Sequence, residues 1–209
     1  MKKTKIESGM AAMLILLMVN GCNNLPKDNA PIVAYDFGLP RENAPDQTPR
    51  MAGRLEASPV TAPSWLDSPA ILYRLAYHNA ARLDSYADSR WAAPPAALIT
   101  LRLRQALSTA SDTSKGNPTP QNDPPNRLRV DLEEFSQIFD SPQSSRVLFR
   151  AHVSLTQKNE QTPLRERTFT LERQAQTPDA AGAASALSLA SDEFIDGVLN
   201  WLASTPGIR

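Results

Sequence analysis

The chain is short of the residues from which most catalytic and metal centres are built. Among 209 residues there are one cysteine, two histidines and eight glycines. A lone thiol closes no internal disulfide, and neither His78 nor His152 has a second ligand at metal spacing. There is no Gly-rich phosphate loop, no GxSxG elbow and no HExxH pair. Glu133 and Glu134 are adjacent on a candidate strand and so point to opposite faces, which makes a poor acid pair. Ser191 and Asp192 read as solvated helix surface rather than part of a triad. The formal net charge is zero and no basic patch stands out, so nucleic acid is not an expected partner. No cofactor, no metal and no enzymatic activity are expected. The longest apolar run, residues 10–19, is too short to cross a bilayer, which needs about 20 residues.

That run has a purpose when read with its flanks. Lys2, Lys3 and Lys5 precede it, and Gly21 and Cys22 follow it. Basic start, short apolar middle and small residue at the end make a secretory signal peptide over 1–21. The stretch "VNGC", residues 19–22, resembles the lipobox of bacterial lipoproteins. The resemblance implies that Cys22 becomes the first mature residue and carries diacylglyceryl and N-acyl chains, palmitate among them. Each buried methylene contributes about 0.8 kcal/mol, and one chain alone holds marginally, so several chains make a lasting anchor. Asn23 and Asn24 follow the cysteine where an inner-membrane retention signal would place Asp. The expected site is therefore the periplasmic face of the outer membrane. Residues 22–31 form a lipidated tether.

Beyond the tether the 18 prolines cluster between periodic segments. Strands are expected at 32–40, weakly at 54–60, and at 70–78, with Ile71, Tyr73, Leu75 and Tyr77 on one face and Arg74 and His78 on the other. Pro94 and Pro95 open a helix whose apolar stripe is Ile99, Leu103, Ala106, Leu107 and Ala110, with Arg102 and Gln105 outside it. Residues 111–126 have no large apolar side chain and read as a flexible insert. Three alternating strands follow at 127–139, 146–157 and 165–175, with a bulge at Glu133–Glu134. Thr177 as N-cap and Pro178 start a last helix with Leu187, Ala190, Phe194, Val198 and Trp201 on its inner stripe. The expected fold is α+β: a two-layer sandwich, its mainly antiparallel sheet covered by two helices, in a single domain over 32–203 with a tail at 204–209.

The middle of the chain carries a resemblance. Trp65, Leu66, Asp67 and Pro69, then Tyr73 and Arg74, then Tyr86, then Arg90, Trp91, Ala92 and Pro94 occur in the order seen in auxiliary lipoproteins of ABC-type transport systems. This is the group that contains paraquat-inducible protein C, and the resemblance covers most of 32–203. The 111–126 insert and the weak 54–60 strand are departures. Read as residues alone, Asp67 caps a turn, Trp91 and Tyr73 pack in the core, and Arg74 is the better surface candidate.

The resemblance implies a role without chemistry. Such lipoproteins accompany MCE-domain proteins and an inner-membrane permease with its ATPase, which together move phospholipid or other hydrophobic substrates between membranes. The expected partners are the membrane, through Cys22, and this MCE and permease system. Self-association is left open. The rival readings are a lipoprotein adaptor or activator of a cell-wall synthase or assembly complex, and a lipoprotein hydrolase.

Overall fold

The strand alternation of the second half builds the centre of the molecule. In the computed structural model, which describes residues 31–39, 55–110, 126–157 and 162–205, three long strands form a meander. They are β5 (Asn126–Ser141), β6 (Ser144–Thr156) and β7 (Pro163–Gln174), all antiparallel. The expected signal peptide, Cys22 and the tether to residue 30 lie outside the described residues. So do residues 111–125 of the expected insert and 206–209 of the tail. Leu128, Val130, Leu132, Val147, Phe149, Ala151, Val153 and Leu155 are fully buried on one face. The register of β5 on β6 shifts between Leu132 and Glu134, where the alternation of the sequence slips.

The first half adds its strands to the free side of β5. β1 (Val33–Tyr35), β2 (Leu55–Ala57), β3 (Ala70–Leu75) and β4 (Asp84–Trp91) complete a seven-stranded sheet of order β1-β4-β3-β5-β6-β7. β2 runs parallel to the start of β5 and β3 parallel to its end, so both share one edge of that long strand. β1 lies parallel to β4, and β3 antiparallel to β4.

The strand expected at 70–78 ends three residues early. Residues Ala76–Asn79 form a single helical turn, α1, and the Asn79 side chain accepts from the Ala81 amide at 3.0 Å. This Asx-turn reverses the chain into β4. Tyr77 and His78 are therefore turn residues, and His78 does not share a sheet face with Arg74. β4 itself lies where no strand was expected.

Two long helices, α2 (Pro95–Ala110) and α3 (Ala180–Ala203), complete the second layer. α3 lies over the meander and buries Leu187, Phe194, Val198, Trp201 and Leu202. Each of these side chains contributes about 1.5–3 kcal/mol when fully buried. Phe194 meets Phe149 and Phe169 with ring centroids at 4.8 and 5.4 Å. The opposite sheet face is polar and paired with itself. Arg150 bonds Glu133 at 2.8 Å, Arg146 lies 3.4 Å from Asp140, and Arg74 lies 3.3 Å from Glu134. Architecture and faces match the α+β sandwich expected, with α1 as a third, minor helix. The described residues from Ile32 onward form one compact unit, and among the described residues no helix is long and apolar enough to cross a membrane.

Arg102 departs from expectation. It is buried, not outside the helical stripe. Gly38, at φ 68, turns the chain after β1 in a conformation glycine tolerates, and the Asp36 carboxylate accepts from its amide at 2.8 Å. The turn aims three carbonyls at one guanidinium. Arg102 donates to Phe37 O at 2.9 Å and to Gly38 O and Leu39 O, each at 3.3 Å. Its Nε meets Asp192 of α3 at 3.1 Å.

Candidate functional site

The motif residues of the middle stretch come together as one unit, β3 and β4 with the turn that leads into them. Trp65 and Leu66 form a short 3-10 turn over Ser64–Leu66, with Asp67 at its end. Leu66 is buried, while Trp65 remains 40% exposed. Pro69 O then accepts the Trp91 amide at 2.7 Å, which ties the first motif element to the last. Trp91 is 1% exposed and packs between Phe37 and Phe135, at 5.6 and 5.5 Å. Arg90, next to it, is exposed and lies opposite Ala70 and Ala34 in the sheet.

An irregularity places Tyr86. Ala70 pairs with Arg90 but Leu72 with Ser85, so Ile71 alone is matched by residues 86–89. This bulge turns Tyr86 onto the helix-covered face. Its ring lies 4.8 Å from that of Tyr73, and Tyr73 in turn meets Phe139 at 5.8 Å. The Tyr86 hydroxyl donates to Gln137 Oε1 at 2.6 Å, and the Gln137 amide donates to Ser145 Oγ at 2.7 Å. Burial, with the Asp179 carboxylate and Tyr73 as lesser causes, pushes the Tyr86 pKa well above its ordinary value. The phenol therefore stays protonated and serves as a fixed donor. Gln137 and Ser145 were not singled out from sequence. Their only signal was a polar residue at an inward strand position.

Arg74 points the other way. It pairs with Glu134 on the polar sheet face, with 21% of its side chain exposed. His152 lies on that face too, its Nδ1 3.2 Å from Thr168 Oγ1 and its Nε2 3.7 Å from Glu166. Thus Trp91, Leu66, Tyr73 and Tyr86 form packing on the helix side, while Arg74, Arg90 and Trp65 reach solvent elsewhere. No three His, Cys, Asp or Glu side chains among the described residues converge as a metal site.

A concave surface lies at the β1 end. The segment 34–38, Ala92 and the first half of α3 enclose a groove of about 500 Å³. Its walls include Ala181, Ala184, Ser185 and Ser188 of α3, with Asp36 and Asp192 along it. Small residues at the start of α3 leave this space open. Gly182 in the same turn is required by close approach, since a Cβ there would collide with Thr177 O.

Two solved structures share the fold. One, a protein of Xanthomonas campestris assigned to the family DUF330, is 21% identical, with a TM-score of 0.65 over 82% of this chain and 94% of that one. The other, described as an uncharacterized protein, is 16% identical, with a TM-score of 0.61 over 82% of this chain and 98% of that one. No curated protein matches the sequence. The family model of the ABC-type transport auxiliary lipoprotein component matches residues 35–198, from the end of β1 into the last turns of α3, and the chain belongs to that family.

Proposed function

We propose that this chain is a lipid-anchored, non-catalytic component of an MCE-type system that moves lipid between the two membranes of the envelope. Acylated Cys22 holds it at the periplasmic face of the outer membrane. The body over 32–203 receives an MCE-domain protein there, and through it the permease and ATPase of the inner membrane. The observation that carries the reading is the family match over 35–198 in a chain whose first 22 residues read as a lipoprotein signal ending at its lone cysteine. The arrangement of the motif fits such a role. Trp91, Tyr73 and Tyr86 stabilise a scaffold: their rings pack within the chain, and the Tyr86 hydroxyl donates to Gln137.

The test is affinity capture of the tagged full chain from envelope membranes after crosslinking. The expected result is an MCE-domain protein together with the permease or ATPase. Capture of none of these, with turnover of an ester or glycan by the purified protein, would replace the adaptor with a hydrolase.

A further inference from the structure

We propose that the free edge of β1 and the groove beside it form a strand-addition site for an extended segment of a partner protein, uncharged at alternating positions and carrying a basic residue. This goes beyond the transport reading and does not depend on which complex the chain serves.

The two ends of the sheet are treated differently. The outer edge, β7, carries Arg165, Glu166, Arg167, Glu172 and Arg173, a dense alternation of charge that discourages pairing. The opposite edge carries none. β1 is Val33, Ala34 and Tyr35, and among the described residues it pairs with β4 alone. Val33 is 47% exposed and Ile32 just before it 54%. An uncharged edge with accessible backbone is a template for a further strand, whose main-chain bonds supply affinity while pockets select side chains.

The pocket is already in place. The groove of about 500 Å³ runs along the β1 segment, with α3 as its second wall. Ala184, Ser185 and Ser188 make that wall shallow enough to admit the side chains of an added strand. Charge then selects among peptides. Asp36 has no basic side-chain partner among the described residues; its carboxylate accepts only the Gly38 amide. Asp192 is occupied by Arg102. The unneutralised carboxylate calls for a cation on the incoming segment. The edge strand itself, Val33–Tyr35, offers none, which disfavours pairing with the same edge of a second copy.

The test uses the full lipidated protein in detergent, with a random peptide library displayed on phage as the probe. The expected selectants alternate uncharged residues and contain Lys or Arg. A synthetic peptide of the selected sequence should slow amide exchange at residues 33–35. Its affinity should fall by about tenfold or more in Ser185→Trp, which fills the groove from an exposed helix position, and in Asp36→Asn, which keeps the turn acceptor and removes the charge. Thr170→Lys on the β7 edge should leave it unchanged, and melts by circular dichroism should show all three variants folded. Four results would overturn the proposal. Selection could yield no enriched sequence, or the peptide could bind Ser185→Trp as well as wild type. A self-associated wild type that Ser185→Trp renders monomeric would assign the edge to a second copy. Binding that appears only after deletion of residues 23–30 would assign it to the chain's own tether.

Discussion

At the start of α3 the helix begins two residues later than capping rules applied to Thr177 and Pro178 suggest. Asp179 is the N-cap, accepting from the Gly182 amide at 2.8 Å, and Thr177 is its support, donating its hydroxyl to the same carboxylate at 2.7 Å. Thr177 was legible as a capping residue type, but two capping side chains in three positions leave the choice to geometry. In the structure Asp179 takes the role, its carboxylate reaching the Gly182 amide while Thr177 bonds that carboxylate instead of the helix. The hydrogen bond from Gly182, then that from Thr177, holds the Asp179 carboxyl below its ordinary pKa. A lowered folded-state value means stability that is present above the unfolded carboxylate range, about pH 4, and lost as pH falls through the folded value. Asp179→Ala should therefore cost about 0.5–2 kcal/mol at neutral pH, the usual loss of an N-cap. Urea unfolding at stepped pH should show the gap to wild type narrowing below about pH 4. A gap that widens there would mean that the charge, not the cap, had been misplaced.

At the scale of elements, legibility followed regularity. β5, β6 and β7 were readable because inward residues recur every second position, and even the slip at Glu133–Glu134 left its mark. β4 was not readable. Residues 86–89 are spent opposite the single residue Ile71, so the period of two is broken where it would have been read, and only Tyr86 and Trp91 are large and aromatic. Arg102 failed for another reason. Helical periodicity assigns a charge to the solvent side, and nothing local in α2 tells that three carbonyls arrive from a turn 63–65 residues earlier. The guanidinium thereby joins the turn after β1 to α2 and α3. Arg102→Met should cost about 3 kcal/mol or more, because it takes the buried guanidinium away from the Asp192 carboxylate and from those carbonyls. Arg102→Met with Asp192→Leu should recover part of that loss, since the half-buried carboxylate that faced the guanidinium is gone with it. Denaturant melts of the two singles and the double form the cycle; strictly additive losses would show that the pair is not coupled.

At the scale of the whole molecule, the functional reading rests on how the chain's two signals combine. The family match covers the body, and the motif residues Leu66, Tyr73, Tyr86 and Trp91 are taken up in packing, so the body alone tells little of what it meets. The leading segment tells more. Cys22 stands ten residues before Ile32, and an extended chain spans at most roughly 3.3–3.6 Å per residue. An acylated Cys22 would keep the β1 end within about 35 Å of its membrane. That reach is far short of a second membrane, so under the proposed function the partner would have to be elongated and come to it. The edge that the proposed peptide would join is also the edge at which the tether enters, since Ile32 directly precedes β1. The chemistry of anchoring makes the first step testable without any partner. A thioether forms only on sulfur, and the peptidase that releases lipoproteins acts on the lipidated form. Cys22→Ser should therefore abolish incorporation of an alkynyl palmitate analogue and leave the uncleaved precursor, about 21 residues longer by mass. Labelled cells, click detection and intact-mass analysis read both outcomes at once. Membrane fractionation would not serve, because the retained apolar segment could itself hold the precursor at a membrane. Equal label in variant and wild type would place the acyl chains elsewhere, and the single cysteine would need another purpose.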